Sequence, residues 1–450
     1  MPDIGRLGYW STIQKIYHDQ YRCSGMLFQI LRVQGALTPG TVRKALCRLQ
    51  RRHPLLRARF VEEDRYYRFQ VAHDSHGELD EEMHAVPLRV VIRENSSQWE
   101  GMIEDEFSRD FDPDSQFLWR TVFLHSEDHD GCNELINLFH HSLSDGSSTA
   151  RFAHDFLTFC SRIADGANEV PDSVVLPLLP AAEQMIPEIS PPPKPAGRKP
   201  RNQPPEQRQT PWDFEAHKPL NERRARNLYF QIHESDMTDL KARCERERTT
   251  VSSALMAALL LSALKKTDSA HHVPFSYAID LRGYCEPEVT NEHFGCYIMM
   301  EQADLDLSKG ISFWDLARNC GKELTNRLNL KRNQGFLPRE FHKTLLRLIV
   351  ENNLAESETL QQFVAGPCLS NLGVLDLSEQ YGPFQLKEIY FGSAHVSGLY
   401  ALLLTVVTLH GRLFCALSYT EPLLSRRTAE SIADAFVSRL ETACKKQEGR

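Results

Sequence analysis

The segment Leu135–Gly146 reads LINLFHHSLSDG, and it carries the most information about the fold. Its first five residues form an apolar run that is typical of a buried strand. Asp145 and Gly146 then favour a tight turn, because glycine tolerates a positive φ. Ser147 and Ser148 come next, and a serine at this place can cap a helix. The segment therefore predicts a strand, a loop that carries two histidines, and a helix.

Patterns on both sides of this segment predict further strands and helices. In the first half, Leu27–Gly35 alternates like a strand, and Thr38 is placed to cap a helix that ends before Pro54. In the second half, Leu228–His233 is strand-like, and Ser235 is placed to cap the next helix. These similar openings suggest a duplicated pair of α/β domains. Substrate sites tend to lie in the cleft between two such domains.

Three more patterns follow in the second half. Thr250 precedes a strongly apolar helix, Val251–Lys265, and the strand Val273–Arg282 comes after it. His410-Gly411 lies between two strand-like runs and predicts a hairpin turn. Each half therefore mixes strands with helices.

The length and the prolines predict how the chain is divided. A chain of 450 residues exceeds what one hydrophobic core usually supports. Twelve of its 24 prolines fall between residues 171 and 211, where they disfavour helix and sheet. We expect one lobe at residues 1–170, a crossover linker at 171–213 and a second lobe at 214–450. The alternative interpretation is that the proline-rich segment docks a partner.

The composition excludes several classes of protein. A net charge of -8 and a pI of about 6.2 give no electrostatic sign of nucleic-acid binding. The most apolar windows run to about ten residues, half of what a membrane span requires. The 11 cysteines are scattered without metal-ligand spacing, and the N-terminus is unlike a signal peptide. We therefore expect a cytoplasmic protein without a transmembrane segment.

Two histidines, three residues and Asp-Gly form the HHxxxDG motif of the thioester-dependent acyltransferase superfamily, here His140 to Gly146. The chain is thus similar to chloramphenicol acetyltransferase, nonribosomal peptide condensation domains, alcohol acyltransferases and the phthiocerol dimycocerosyl transferases. Arg52–Arg57 (RHPLLR), Asp280–Tyr297 (with DLR and GCY) and Ser370–Gly373 (SNLG) extend the resemblance in the same order. The DFGWG motif of the plant branch is absent, so the chain resembles the condensation and dimycocerosyl transferase branches more closely.

The resemblance implies an α/β fold: two chloramphenicol-acetyltransferase-like lobes, each an α+β two-layer sandwich, with an active-site tunnel at their interface. It implies that His141 is the general base, since a neutral imidazole accepts protons near neutral pH. Asp145 would hold the loop by pairing with an arginine of the other lobe. Arg282 is the matching arginine, and Gly146 belongs to the same support. Ser147 and Asn371 are candidates for contacts to substrate or to an oxyanion.

The same resemblance implies an acyl thioester as co-substrate, carried by coenzyme A or by a phosphopantetheinyl carrier protein. It implies no permanently bound cofactor, and we expect a monomer. The favoured reaction forms an ester with an alcohol. The alternatives are a free-standing condensation-type enzyme that forms an amide with an amine, and an inactive member that binds only a carrier protein. The intact motif argues against the inactive member.

Other histidines receive less weight. His140 is adjacent to His141 on an extended chain, so we expect it to point to the opposite side and to be structural. The pair His271-His272 lacks a following Asp-Gly and is interpreted as solvated or structural. Zinc binding by His140, His141 and Asp145 is disfavoured, because neighbouring histidines on a strand diverge and no cysteine set assists them.

Overall fold

The computed structural model describes residues 3–6, 8–63, 66–71, 85–111, 117–128, 131–166, 175–187, 212–264, 272–307, 310–334 and 365–445. The chain forms two compact units that interleave along the sequence. The first comprises Met1–Ile186, Asp280–Ile298 and Val374–Ala394. The second comprises Pro187–Ile279, Met299–Gly373 and His395–Arg450. Two segments from the second half of the chain therefore belong to the first unit, while the boundaries expected near residues 170 and 213 stay a prediction.

Helices and strands alternate along the chain, as the sequence patterns indicate. Up to Met185 they are β1 (Asp3–Arg6), α1 (Tyr9–Tyr21), β2 (Met26–Gln34), α2 (Pro39–Arg52), β3 (Ala58–Glu63), β4 (Tyr66–Val71), β5 (Leu88–Ile92), α3 (Gln98–Glu106), β6 (Trp119–His125), β7 (Cys132–His140), α4 (Gly146–Ala164) and α5 (Ala182–Met185). After residue 212 they are β8 (Arg224–Ile232), α6 (Glu234–Arg246), α7 (Val251–Ala263), β9 (His272–Asp280), β10 (Ile298–Asp306), α8 (Phe313–Gln334), β11 (Cys368–Val374), β12 (Gln380–Tyr381), β13 (Phe384–Ala394), β14 (Leu403–Leu409), β15 (Arg412–Glu421) and α9 (Arg426–Cys444).

The first unit is built on a six-stranded sheet with the order β12-β13-β2-β7-β6-β5. Strand β2 pairs antiparallel with β7, from Met26 opposite His140 to Gln34 opposite Cys132. Its other neighbour is β13, which comes from the second half of the chain. The strand that ends at His140 therefore lies in the interior of a sheet to which both halves of the chain contribute.

Helix α4 packs with α2 and fixes the end of the loop that follows β7. Its buried side includes Phe152, Phe156 and Leu157, which recur at helical spacing. The cap, however, is Asp145, whose side chain accepts a hydrogen bond from the backbone N–H of Ser148. The expectation that a serine caps this helix is therefore wrong. Gly146 is the first helical residue and is not among the glycines with positive φ.

The second unit has its own six-stranded sheet, with the order β10-β9-β11-β14-β15-β8. Thr250 caps α7 as predicted, and the β14–β15 hairpin turns at His410 and Gly411, with φ values of 47° and 78°. Several expected boundaries differ from the structure. His233, not Ser235, occupies the cap position of α6, β9 ends at Asp280 rather than Arg282, and α7 ends at Ala263 rather than Lys265. Shifts of this size are the usual uncertainty at helix and strand ends, whereas β8 begins at Arg224, four residues before the predicted start at Leu228.

Part of the predicted linker packs on the first unit. The backbone N–H of Leu176 donates to the carbonyl of Arg52, and that of Glu286 donates to the carbonyl of Met185 in α5. Residues 171–174 and 188–211 of the predicted linker, and His271, lie outside the described residues. The predicted α/β class is confirmed, and none of the helices in the described ranges is long and apolar enough to span a membrane.

Candidate active site

The loop 141–145 begins at the end of β7 and is held by backbone hydrogen bonds. The N–H of His141 donates to the carbonyl of Gly25 at 2.9 Å, which ties the loop to the residue that precedes β2. The N–H of Leu143 donates back to the carbonyl of His140 at 2.9 Å and closes a turn. The loop is therefore anchored at its first residues to the sheet.

The imidazole of His141 has a defined tautomer. Its Nδ1 lies 2.9 Å from the carbonyl oxygen of Ser144. A carbonyl can only accept, so Nδ1 carries the proton and the lone pair resides on Nε2. Within the described residues Nε2 has no hydrogen-bond partner. The arrangement leaves a basic nitrogen free to take a proton from another molecule.

Burial changes the acidity of His141. Desolvation lowers the pKa of the imidazole below its ordinary value of 6.5, although nearby Asp145 and the carbonyl of Ser144 act in the opposite direction. The side chain is nevertheless part-exposed rather than fully buried. His141 is therefore neutral at cellular pH, which is the state that a general base requires.

A thiol lies behind the imidazole. Sγ of Cys296 is 3.9 Å from Nδ1 of His141, the nitrogen that already donates to Ser144. Burial raises the pKa of this thiol well above its ordinary value, so it stays protonated. Cys296 therefore lies beside the Nδ1 edge of the ring rather than beside Nε2, and it is not an activated nucleophile.

Asp145 and Arg282 form a bidentate ion pair in the interior. Nη1 of Arg282 lies 2.8 Å from Oδ2 of Asp145, and Nη2 lies 2.9 Å from Oδ1. The carboxylate also accepts the N–H groups of Ser148 at 2.9 Å and Tyr297 at 2.8 Å. Asp145 is 0% and Arg282 is 3% exposed. The pKa of Asp145 is lowered despite its burial, because Arg282 and these N–H groups stabilise the charged form.

Ser148 joins the same network through its hydroxyl group. Its Oγ accepts from Nη2 of Arg282 and from the N–H of Gly295, both at 3.0 Å, and donates to the carbonyl of Gly295 at 2.8 Å. The guanidinium carbon of Arg282 lies over the Tyr297 ring, 5.0 Å from the ring centroid. Tyr297 is thus a supporting residue that the sequence did not single out, whereas Ser148 was expected there only as a candidate helix cap.

The location of the pair corrects one expectation. The resemblance implies an arginine from the other lobe, but Arg282 and Asp145 both belong to the first unit. The reason is that the chain returns to the first unit after β9, and Arg282 lies in a short 3-10 turn at Arg282–Tyr284 rather than at a strand end.

The remaining predicted residues are engaged locally. The hydroxyl of Ser147 donates to Oδ2 of Asp280 at 3.2 Å. In the second unit, Nδ2 of Asn371 donates to the hydroxyl of Ser252 at 2.7 Å, and its Oδ1 accepts from the N–H of Gly373 at 2.9 Å. Ser147 would have to release Asp280 before its single hydroxyl proton could reach an oxyanion, whereas Nδ2 of Asn371 carries a second N–H.

A chain of buried polar side chains connects the sheet to the first turn of α4. The hydroxyl of Thr121 donates to Oδ1 of Asn137 at 2.7 Å, and Nδ2 of Asn137 donates to Oε1 of Gln29 at 3.2 Å. Nε2 of Gln29 then donates to the carbonyl of Thr149 at 2.5 Å. All four residues are at most 2% exposed. The donors all point toward α4, so this chain fixes the turn that follows Asp145.

The described residues contain no group of three or more His, Cys, Asp or Glu side chains that could hold a metal ion. The His140 and His141 rings leave the strand in different directions, with separate partners.

Comparison with solved structures shows a shared fold. Trichothecene 15-O-acetyltransferase from Fusarium sporotrichioides has a TM-score of 0.76 at 11% identity, with 98% of this chain and 95% of that chain covered. Polyketide synthase associated protein 5 from Mycobacterium tuberculosis has a TM-score of 0.67 at 14% identity, with 99% and 98% covered. The first condensation domain of the CDA synthetase has a TM-score of 0.66 at 14% identity, with 98% and 96% covered. The fold is that of the two-lobed chloramphenicol-acetyltransferase-like proteins.

Comparison with sequence families gives two matches that overlap at the loop. The condensation domain family matches residues 12–174, and the alcohol acetyltransferase family matches residues 105–444. Both matches include His141 and Asp145. No curated protein matches the sequence. The second match covers most of the length of this chain. The chain therefore belongs to the alcohol acetyltransferase family of the thioester-dependent acyltransferase superfamily.

Proposed function

We propose that the protein transfers an acyl group from an acyl thioester to a hydroxyl group and forms an ester, with His141 as the general base. The observation that carries this proposal is the state of the imidazole. Its Nδ1 is committed to the carbonyl of Ser144, its pKa is lowered, and Nε2 has no partner within the described part of the chain.

In the proposed reaction, Nε2 of His141 takes the proton of the acceptor hydroxyl as its oxygen attacks the thioester carbonyl. The tetrahedral intermediate then collapses, the carbon–sulfur bond breaks, and the imidazolium returns the proton to the leaving thiolate. The thioester is already activated, so no covalent acyl-enzyme is needed, and positioning supplies much of the rate. Removal of a general base typically costs on the order of 10²–10⁴ in rate.

Asp145, Gly146 and Arg282 support the base without touching substrate in this proposal. The guanidinium fork matches the carboxylate in a planar, bidentate geometry that fixes orientation as well as charge. The same aspartate caps α4, so one side chain sets both the helix start and the loop. The base is thereby held on a rigid strand–loop–helix unit, as a precise site requires.

The alcohol acetyltransferase match favours a hydroxyl acceptor, and one relative is named as an O-acetyltransferase. The condensation domain match favours a second candidate, amide formation with an amine, which the same base would serve. The proposed donor is coenzyme A or a phosphopantetheinyl carrier protein, as a co-substrate rather than a bound cofactor. We retain Ser147 and Asn371 as proposed contacts to substrate or oxyanion, and a cytoplasmic location as a prediction.

The test is a panel of donors and acceptors with the purified protein. Acetyl-CoA, longer acyl-CoA esters and an acyl carrier protein are each mixed with simple alcohols and amines. Thiol release and product mass are then measured. Thiol release that depends on an alcohol, together with an ester product, supports the proposal. Amide products alone would support the second candidate, and the absence of any acceptor-dependent release across the panel would contradict both.

A further inference from the structure

His140 is a buried histidine that the proposed reaction does not use. It is 1% exposed and is the last residue of β7, directly before the proposed base. Its ring is surrounded by other rings, with centroid distances of 4.7 Å to His18, 5.0 Å to Phe60 and 6.0 Å to Phe111. A buried imidazole in an aromatic cage is costly unless its polar atoms make useful hydrogen bonds.

Of the two ring nitrogens, Nδ1 makes such hydrogen bonds, and both of these bonds are with Ser142. Nδ1 of His140 accepts the backbone N–H of Ser142 at 3.1 Å and lies 2.7 Å from the Ser142 hydroxyl. A backbone N–H can only donate, so Nδ1 is the acceptor and the ring proton is on Nε2. Nε2 is buried and has no hydrogen-bond partner within the described chain. His140 and His141 therefore hold opposite tautomers.

These bonds act on the backbone around the proposed base. Ser142 follows His141 directly, and the carbonyl of His140 also accepts the N–H of Leu143. The N–H of His141 itself is bound to the carbonyl of Gly25. The backbone on both sides of His141 is thus fixed, on one side through the sheet and on the other through the His140 ring.

The ring stays neutral under ordinary conditions. Burial holds the pKa of His140 well below its ordinary value, and the neighbouring His18, Lys15 and His141 lower it further. The acceptor on Nδ1 is therefore present throughout the pH range in which the base works.

We propose that His140 is a positioning residue, whose Nδ1 fixes the turn at Ser142 and so aims the His141 imidazole at the substrate. The inference rests on the proposed function, because it assigns a role relative to that base. It requires a side chain with an acceptor at the δ position. Asparagine offers such an acceptor, whereas glutamine places its amide one bond farther out.

The experiment compares His140→Asn with His140→Gln in steady-state kinetics of the wild-type acyl transfer. His140→Asn should keep kcat within about threefold of wild type, and His140→Gln should lower kcat about tenfold or more at an unchanged KM, since a small misplacement of a catalytic group costs this much. Equal kcat values for both variants and the wild type would overturn the inference. So would equal losses in two folded variants.

A second pair of variants, at Ser142, tests the inference in case the His140 variants do not fold. Ser142→Ala removes the hydroxyl that contacts Nδ1, and Ser142→Thr keeps it. The inference expects a lower kcat for the alanine variant alone, and no difference between the two would contradict it. Failure of the proposed function is recognised separately, because it leaves the wild type without activity. Failure of the inference leaves an active wild type and an inactive His141→Ala variant, with His140 and Ser142 variants that behave alike.

Discussion

Replacing Asp145 by asparagine keeps the shape of the side chain but removes its charge. The Arg282 guanidinium, 3% exposed, then faces a neutral amide. Of the four N–H groups that the two carboxylate oxygens accept, those directed at the new NH₂ group lose their acceptor. The variant therefore combines unpaired donors with a buried guanidinium whose remaining carboxylate partner is the half-exposed Asp280, at 3.3 Å from Nη1.

The expected loss in the free energy of unfolding follows from the burial of the ion pair. Removing one partner of a buried ion pair costs roughly 3–5 kcal/mol, against a total stability of about 5–15 kcal/mol for a typical protein. Arg282→Met leaves the Asp145 carboxylate with only the N–H groups of Ser148 and Tyr297, so it should cost a similar amount. In the double variant neither charge is left unpaired, and its loss should be smaller than the sum of the two single losses.

The assay is urea unfolding of the four proteins, followed by circular dichroism. Arg318→Met is the matched control, since it breaks ion pairs of a 39% exposed arginine with Asp315 and Glu247, and it should cost at most about 1 kcal/mol. Strictly additive losses in the Asp145 and Arg282 variants, or losses no larger than that of the control, would refute the reasoning.

Two further predictions concern the base and its support. Because burial lowers the pKa of His141 and the neutral form is the active one, kcat/KM should decline as pH falls with a midpoint below 6.5. A decline centred at or above 6.5 would contradict this. Gln29→Met should cost about 1–3 kcal/mol in urea unfolding, because it leaves buried Nδ2 of Asn137 without its acceptor. Gln380→Met, at an exposed side chain, is the control and should change stability by less than about 0.5 kcal/mol. Equal effects would show that the buried polar chain contributes no stability.

Local patterns in the sequence predicted much of the first unit. The strand before His140, the helix after Gly146 and the Thr38 cap follow from apolar spacing and cap residues within a few positions of each other. Helix α1 was not predicted, since its N-terminal position is Gly8, which makes no side-chain cap. The choice of Asp145 over Ser147 or Ser148 as cap depends on two or three residues of register, which residue type alone does not determine.

The parts of the fold and of the site that the sequence did not predict depend on contacts between segments far apart along the chain. Strand β13 lies beside β2 across more than 350 residues of chain, and the turn with Arg282 returns to the first unit after β9. The sequence indicated that Arg282 pairs with Asp145 only through the resemblance to a family. The backbone N–H of Tyr297 and the thiol of Cys296 reach the loop through this return, so no short-range pattern could assign them.

In the proposed mechanism, Nε2 of His141 removes the proton from the acceptor hydroxyl. The most direct measurement is kcat/KM of His141→Ala relative to wild type, with His140→Ala as the neighbouring control and folding checked by circular dichroism. We expect a loss on the order of 10²–10⁴ for His141→Ala and a smaller loss, of about tenfold, for His140→Ala, which removes only the contact that positions the base. Normal turnover by a folded His141→Ala protein would contradict the mechanism, and an equally severe loss in folded His140→Ala would show that the wrong histidine was assigned.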